Sequence, residues 1–215
     1  MKQNERKSIA IFSLNASAKY ISMSMLSCVS KVSIRKIILG QLSIKDWRQL
    51  AEASGALAES NIFINDITSI SIEELYKRCI QLRNSHALDM VIVDSLDFMR
   101  RYQKKATNGH NRGTILSTLR VLANELNVPI IVSLNVKDFV ERKRSFWPCN
   151  LDLPGVSTIE RYADIIMILH RPEIYSPTLE NEGLAEIRVF RQNNGNGGKV
   201  RLHFLGETQR FVNID

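Results

Sequence analysis

The sequence predicts an α/β domain with a largely parallel central sheet, flanked by helices and closed by a C-terminal antiparallel hairpin. Three observations carry that expectation. Short apolar, β-branched runs recur along the chain. Longer segments with apolar residues at helical spacing lie between them. The last two strand-like runs flank N-N-G-N-G-G, a turn-rich loop of the kind that joins antiparallel neighbours.

The elements follow in order. Ser8–Leu14 (SIAIFSL) reads as a buried strand, after a charged lead over residues 1–7. Ala16–Val32 carries Ala18, Ile21, Met25 and Val29 on one helical face. Ser33–Leu39 and Ile44–Ser60 read as two further helices, the first stopped by Gly40. Asn61–Asn65 is a short strand. Ser71–Asn84 is a helix opened by S-I-E-E, with Ser71 and Glu74 spaced for a capping box. Asp89–Asp94 is a strand, Thr114–Leu126 a helix, Val128–Leu134 a strand, and Ala163–His170 another. Ala185–Arg191 and Lys199–Phe204 form the hairpin. Sites in such folds lie at the carboxyl ends of strands. That directs attention to Asn15, Asp94, Asn135 and Arg171.

Composition bounds the function. The chain has 215 residues, 44% hydrophobic and 24% charged, which excludes a disordered chain and a disulfide-stapled miniprotein. Cys28, Cys79 and Cys149 lie far apart, without C-x-x-C, and read as reduced packing residues rather than metal ligands. No stretch approaches the roughly 18 apolar residues of a membrane span, so a cytoplasmic location is expected. The net charge of +7 points to a polyanionic partner such as nucleic acid, or to a solvated basic surface.

The basic residues are clustered. No acid interrupts the stretch between Asp97 and Glu125, which holds Arg100, Arg101, Lys104, Lys105, Arg112 and Arg120. A second group, Lys137, Arg142, Lys143 and Arg144, follows the VPIIVSL strand, diluted by Asp138 and Glu141. A third stretch, Ile187–Gly206, has Arg188, Arg191, Lys199 and Arg201 and no acid. Two basic loops at one sheet edge would line a channel for a phosphate backbone; a solvated loop is the plainer reading. Phe146 and Trp147 are placed either to stack on bases or to pack.

DMVIVDSLDFM is the sharpest local signal. An acid at the tip of a buried strand holds magnesium in nucleotide hydrolases, and equally caps a loop or helix elsewhere. The phosphate-cradling pattern G-x-x-x-x-G-K-[ST] does not occur. The nearest stretch, Asn193–Val200, has Asn193 for the first Gly and Val200 for the hydroxyl, and reads as a turn.

Six segments together resemble the C-terminal RecA-type motor domain of the bacterial replicative DNA helicase, the DnaB family of superfamily 4. IAIFSLNAS resembles the family's FSLEM strand and turn, and KVSIRKIILGQLSIKDW its helix pair with GQL intact. NIFINDITSISIEEL and LRVLANELNVPIIVSLN resemble the segments around the Asp94 strand. STIERYADIIMILHRPEIY resembles the GSIEQDAD strand with its R-x-E-x-Y tail. AEIRVFRQNNGNGGKVRLHF resembles the closing hairpin with K-Q-R-N-G. The resemblance implies a six-membered ring, ATP and magnesium between subunits, and single-stranded DNA on basic loops. It assigns DNA contact to Arg100, Arg101, Lys104, Lys105, Arg112, Arg142, Lys143 and Arg144.

The departures from the family pattern shape the expectation. The family's phosphate loop precedes the strand that begins here at Ser8, so the first strand, the Walker A loop and the N-terminal primase-docking domain are expected to be missing. Residues 1–215 then form one partial domain. The missing strand is expected beside the Asp94 strand, leaving a gap to be closed by neighbouring strands or another chain. The family's catalytic Glu falls on Asn15, its γ-phosphate-sensing Gln on Asn135, and its arginine finger on Asn193. Asp94 persists, and Arg191 replaces a Lys. These exchanges imply a helicase-family protein deficient in ATP hydrolysis, with no intact catalytic residue and no required cofactor; ATP and magnesium enter through the resemblance alone. Expected partners are single-stranded DNA, helicase subunits or further copies of the chain. A structural or regulatory subunit and a decaying remnant are the rival readings.

Overall fold

The computed structural model describes residues 7–99, 110–135, 156–192 and 197–214. They fall into two compact units, residues 1–30 with 42–135, and residues 31–41 with 136–215.

The first unit is built on a four-stranded parallel sheet, ordered β2-β1-β3-β4. Its strands are β1 (Ser8–Ser13), β2 (Asn61–Asn65), β3 (Leu88–Asp94) and β4 (Ile130–Val132). β3 is the core strand. Val91 and Val93, on one face of the strand, are fully buried, and β-branched residues of this kind suit a packed pleated surface. Both edges of β3 are paired. β1 runs beside it from Ile9↔Met90 to Ser13↔Asp94, and β4 from Val91↔Ile130 to Val93↔Val132. Of the two ways expected for closing a gap beside the Asp94 strand, neighbouring strands are the one found: β1 and β4 pair with its two edges and no second chain is needed there.

Helices α4 (Ile72–His86) and α5 (His110–Leu126) supply the rest of this core. Leu75 and Cys79 of α4 and Leu119 and Leu122 of α5 close over Phe12, Val91 and Val93. α1 (Ala18–Ser30) packs on α3 (Ile44–Ala58). Ser71 accepts the Glu74 N–H as expected, while the Glu74 carboxylate turns outward to Arg78, 2.8 Å away. The reciprocal capping box lies instead at α3. There Ser43 accepts the Asp46 N–H, and Asp46 accepts the Ser43 N–H at 2.9 Å.

The second unit carries a four-stranded antiparallel sheet, ordered β5-β6-β7-β8. Its strands are β5 (Ile165–His170), β6 (Leu184–Gln192), β7 (Gly198–Leu205) and β8 (Arg210–Asn213). The expected hairpin is β6–β7, widened by β5 on one side and by β8 on the other. Short helices α2 (Ile34–Leu39) and α6 (Val156–Tyr162) belong to this unit. Gly40 ends α2 in the left-handed conformation, as its position predicted. β5 alternates strictly: Ile166, Ile168 and His170 are buried, whereas Ile165, Met167 and Leu169 are half exposed. Before β6, Gly183 has φ +67°, a left-handed conformation that favours glycine, and a Cβ there would crowd the His203 ring.

Leu122→Ala removes a fully buried side chain from the packed face of α5. The variant is expected to lose about 2–5 kcal/mol of unfolding free energy in urea titration, with the m-value unchanged.

Candidate functional site

Parallel strands end on the same edge of their sheet, and that edge gathers the first unit's polar residues. Ser13 pairs with Asp94, and Val93 with Val132, so the exits of β1, β3 and β4 stand side by side. Each exit is tied to the next. The Leu14 N–H donates to the Asp94 carbonyl at 2.5 Å, and the Leu96 N–H to the Ser133 carbonyl at 3.0 Å. The Ser13 hydroxyl donates to the Ala16 carbonyl at 2.7 Å, which turns the chain sharply and leaves Asn15 exposed.

Two carboxylates sit within this frame. Asp94, half-buried, accepts the Ser133 hydroxyl on Oδ1 at 2.5 Å. Asp97 accepts the Asn135 N–H on Oδ2 at 2.7 Å and the Ser95 hydroxyl at 3.1 Å. The Asp94–Ser95 peptide is cis. Asn15 and Asn135 are both exposed. The edge therefore presents two acids with engaged oxygens, Asp94 and Asp97, together with two exposed neutral amides.

The donor set can be weighed against magnesium. That ion takes one or two carboxylates and fills its octahedron with water and substrate phosphates. Asp94 offers one carboxylate of that kind, with Oδ1 taken by Ser133. Among the described residues no three His, Cys, Asp or Glu side chains cluster to hold a metal ion. Asp94 does not make a metal site alone.

Comparison with known proteins bears on this edge. The DnaB-like helicase C terminal domain family matches residues 1–213. The chain belongs to that family. It is 32% identical over 215 residues to the replicative DNA helicase DnaB of Geobacillus stearothermophilus, covering all of this chain and 47% of that protein. It is 34% identical over 209 residues to the DnaB helicase of Buchnera aphidicola (strain APS), covering 96% of this chain and 46% of that protein. The chain thus spans about half the length of these relatives. Among solved structures, the ATPase domain of G40P superposes with TM-score 0.89 at 24% identity, covering 97% of this chain and 75% of that one. The RadB recombinase superposes with TM-score 0.55 at 14% identity, covering 97% and 80%. Both likenesses speak to the fold, which is RecA-like.

Within the DnaB-family fold, the predicted site residues divide cleanly. Asn15, Asp94 and Asn135 share the strand-end edge. Arg112 lies in the first turns of α5 and is half-buried. Arg191 lies on β6, its backbone opposite Ile166. Arg100, Arg101, Lys104, Lys105, Arg142, Lys143, Arg144 and Asn193 lie outside the described residues, as do Phe146, Trp147 and Cys149. Cys79 is buried, and burial pushes its thiol up to about 12, so it packs and does not react.

Ser133 and Asp97 were not legible as site residues, because each acts on a partner 38 or 39 positions away. The third basic stretch also reads differently in three dimensions. Lys199 and Arg201 both reach the fully buried Glu186, at 2.6 and 2.9 Å. They neutralise an interior carboxylate as well as facing solvent. The R-x-E-x-Y segment is a structural knot. Arg171 pairs with Glu173 and lies 4.0 Å over the Phe204 ring, while Tyr175 stacks on His170 at 5.3 Å.

Burial holds the His170 imidazole below its ordinary range; Glu186 opposes the shift and Arg188 adds to it. A lowered folded pKa favours the neutral ring, so this contribution is present above the unfolded value and is lost as pH falls through the folded one. Thermal midpoints measured from pH 7.5 to 5 should fall with acidification, and less steeply in His170→Gln than in the parent chain.

Proposed function

We propose that this chain is a DnaB-family motor domain that engages single-stranded DNA and does not hydrolyse ATP by itself. One observation carries the second half: the strand-end edge presents Asn15 and Asn135 beside Asp94 where a base and a γ-phosphate sensor are needed. An amide neither takes a proton from water nor carries the charge that orients it. Asn193, in place of the arginine finger, withdraws a cation whose contribution is about 10³–10⁵ in rate where measured. Residues 1–215 act in this reading as a single motor-type domain in the cytoplasm; no helix among the described residues is long and apolar enough to cross a membrane.

Support for the first half is electrostatic. Arg100, Arg101, Lys104, Lys105 and Arg112 follow β3, and Arg142, Lys143 and Arg144 follow β4, so both basic stretches leave the same sheet edge. Phosphate contacts of this kind are sequence-independent and release counterions. Affinity for an oligodeoxythymidine should fall steeply between low and moderate salt. Neutralising Lys104, Lys105, Arg142 and Lys143 together should reduce the slope of log K against log salt by about three. An unchanged slope would remove the DNA reading. Magnesium-dependent, DNA-stimulated ATP hydrolysis that Asp94→Ala abolishes would overturn the other half.

A second reading is favoured by β5. Among the described residues it pairs on one edge, with β6, and it presents Ile165, Met167 and Leu169 half exposed. Such a face suits a subunit completed by another helicase chain or by a copy of itself. Co-elution with an active DnaB ring supports it; a monomer that never co-elutes at high concentration counts against it.

A further inference from the structure

β4 is a short strand, and its backbone ladder with β3 ends at Val93↔Val132. Beyond that point the chain continues through Ser133, Leu134 and Asn135 towards Lys137 and the basic run Arg142–Arg144. Four bonds hold this exit. The Ser133 N–H donates to the Val93 carbonyl at 3.0 Å, the Leu96 N–H to the Ser133 carbonyl at 3.0 Å, and the Ser133 hydroxyl to Asp94 at 2.5 Å. The fourth and outermost is the Asn135 N–H to Asp97 at 2.7 Å.

Asp97 itself is firmly placed. It lies in a single 3₁₀ turn, Leu96–Phe98, whose flanking Leu96 and Met99 are fully buried. Ser95 caps that turn, accepting the Asp97 N–H at 3.3 Å and donating its hydroxyl to the carboxylate. A carboxylate accepts only, and here it meets two donors, one from its own turn and one from the β4 exit. Charge-assisted bonds to backbone N–H groups are among the stronger ones a side chain makes. The same turn leads directly into the other basic stretch, which begins at Arg100.

We infer that Asp97 is a positioning residue for nucleic-acid binding: its carboxylate latches the exit of β4 to the turn after β3, fixing the roots of both basic stretches against each other. The inference rests on the proposed engagement of single-stranded DNA. Its physical content is preorganisation. Roots held together in the free protein leave less chain to be ordered when a phosphate backbone arrives. Asp97 makes no contact with DNA in this scheme and adds no cation. Its removal lowers affinity without changing how many phosphates are neutralised.

The test uses the whole chain and two readouts. Amide hydrogen exchange at Asn135 reports the latch itself. Binding of a fluorescent oligodeoxythymidine, across a salt series, reports its consequence. In Asp97→Ala, exchange at Asn135 should accelerate about tenfold, while Ile131 and Val132 inside the ladder keep their protection. Affinity should fall about tenfold at one salt concentration, with the salt slope unchanged. Asp97→Asn keeps an acceptor oxygen at the same reach and should restore most of both. Should Asp97→Ala fail to fold, Asp97→Ser keeps a turn-forming polar residue, too short to reach Asn135, and carries the same expectation. Equal exchange at Asn135 in the parent chain and the variant overturns the latch. Faster exchange with unaltered affinity overturns its role in binding, and a changed salt slope assigns the effect to lost phosphate contacts instead. A parent chain that binds no DNA sinks the proposed function, and exchange at Asn135 then decides the latch alone.

Discussion

β3 is hydrogen-bonded along both edges and packed by side chains, and the placement of every polar group at the candidate site depends on that. A strand so enclosed tolerates no unpaired polar side chain along its length. Chemistry has to wait until the strand emerges, and Asp94 is its last residue. Both neighbouring strands then bond to that residue: β1 through the Leu14 N–H to its carbonyl, β4 through the Ser133 hydroxyl to its carboxylate. The parallel arrangement turns three separate chain exits into one surface. Without the β1–β3–β4 pairing, Asn15, Asp94 and Asn135 would be separated by as much chain as the sequence places between them.

The second unit applies a different constraint to charge. Glu186 is fully buried on β6, and an isolated ionised carboxylate there would be strongly unfavourable. Its register partners on β7 bring Arg201 opposite and Lys199 beside it. Two cations of the third basic stretch are thereby committed to the fold. The count of 29 Lys and Arg residues therefore overstates the cations free to meet a polyanion. The reading of nucleic-acid binding consequently leans on the stretches that follow β3 and β4, and not on the closing hairpin.

Most of the fold was legible because its signals are local. Apolar β-branched runs, the Ser71 cap and the Gly40 stop each depend on residues within one turn or one strand. The differences arise where distant partners decide. β4 spans three residues rather than seven; beyond Val132 backbone bonds of Ser133 carry the pairing one residue further, and the side chains of Asp94 and Asp97 hold the rest of the exit. α5 begins at His110, four residues before the periodic apolar pattern that marks a helix. The α3 capping box went unread because Asp46, not Glu, closes it. At the site, Asp94 announced itself as an acid ending an apolar run. Ser133 and Asp97 carry no such mark, since an ordinary Ser and Asp gain their roles only when β3 and β4 lie side by side.

The division between retained and altered positions has a physical logic of its own. Asp94 accepts from Ser133, and its carbonyl takes the Leu14 N–H, so the residue works for the fold whatever it does for a ligand. Replacing its side chain strands the Ser133 hydroxyl and loosens the tie between the exits of β3 and β4. Asn15 and Asn135 differ: both side chains are exposed, and the bond that holds Asn135 is made by its backbone N–H. An exchange of side chain at either position leaves every hydrogen bond of the frame in place, and exposed polar exchanges of this kind usually change stability by no more than about 0.5 kcal/mol. Positions that serve only chemistry can therefore change without loss of structure, whereas positions that serve both cannot. The acid and its strand-end network are thus tied to the fold, whereas the two exposed amides are not.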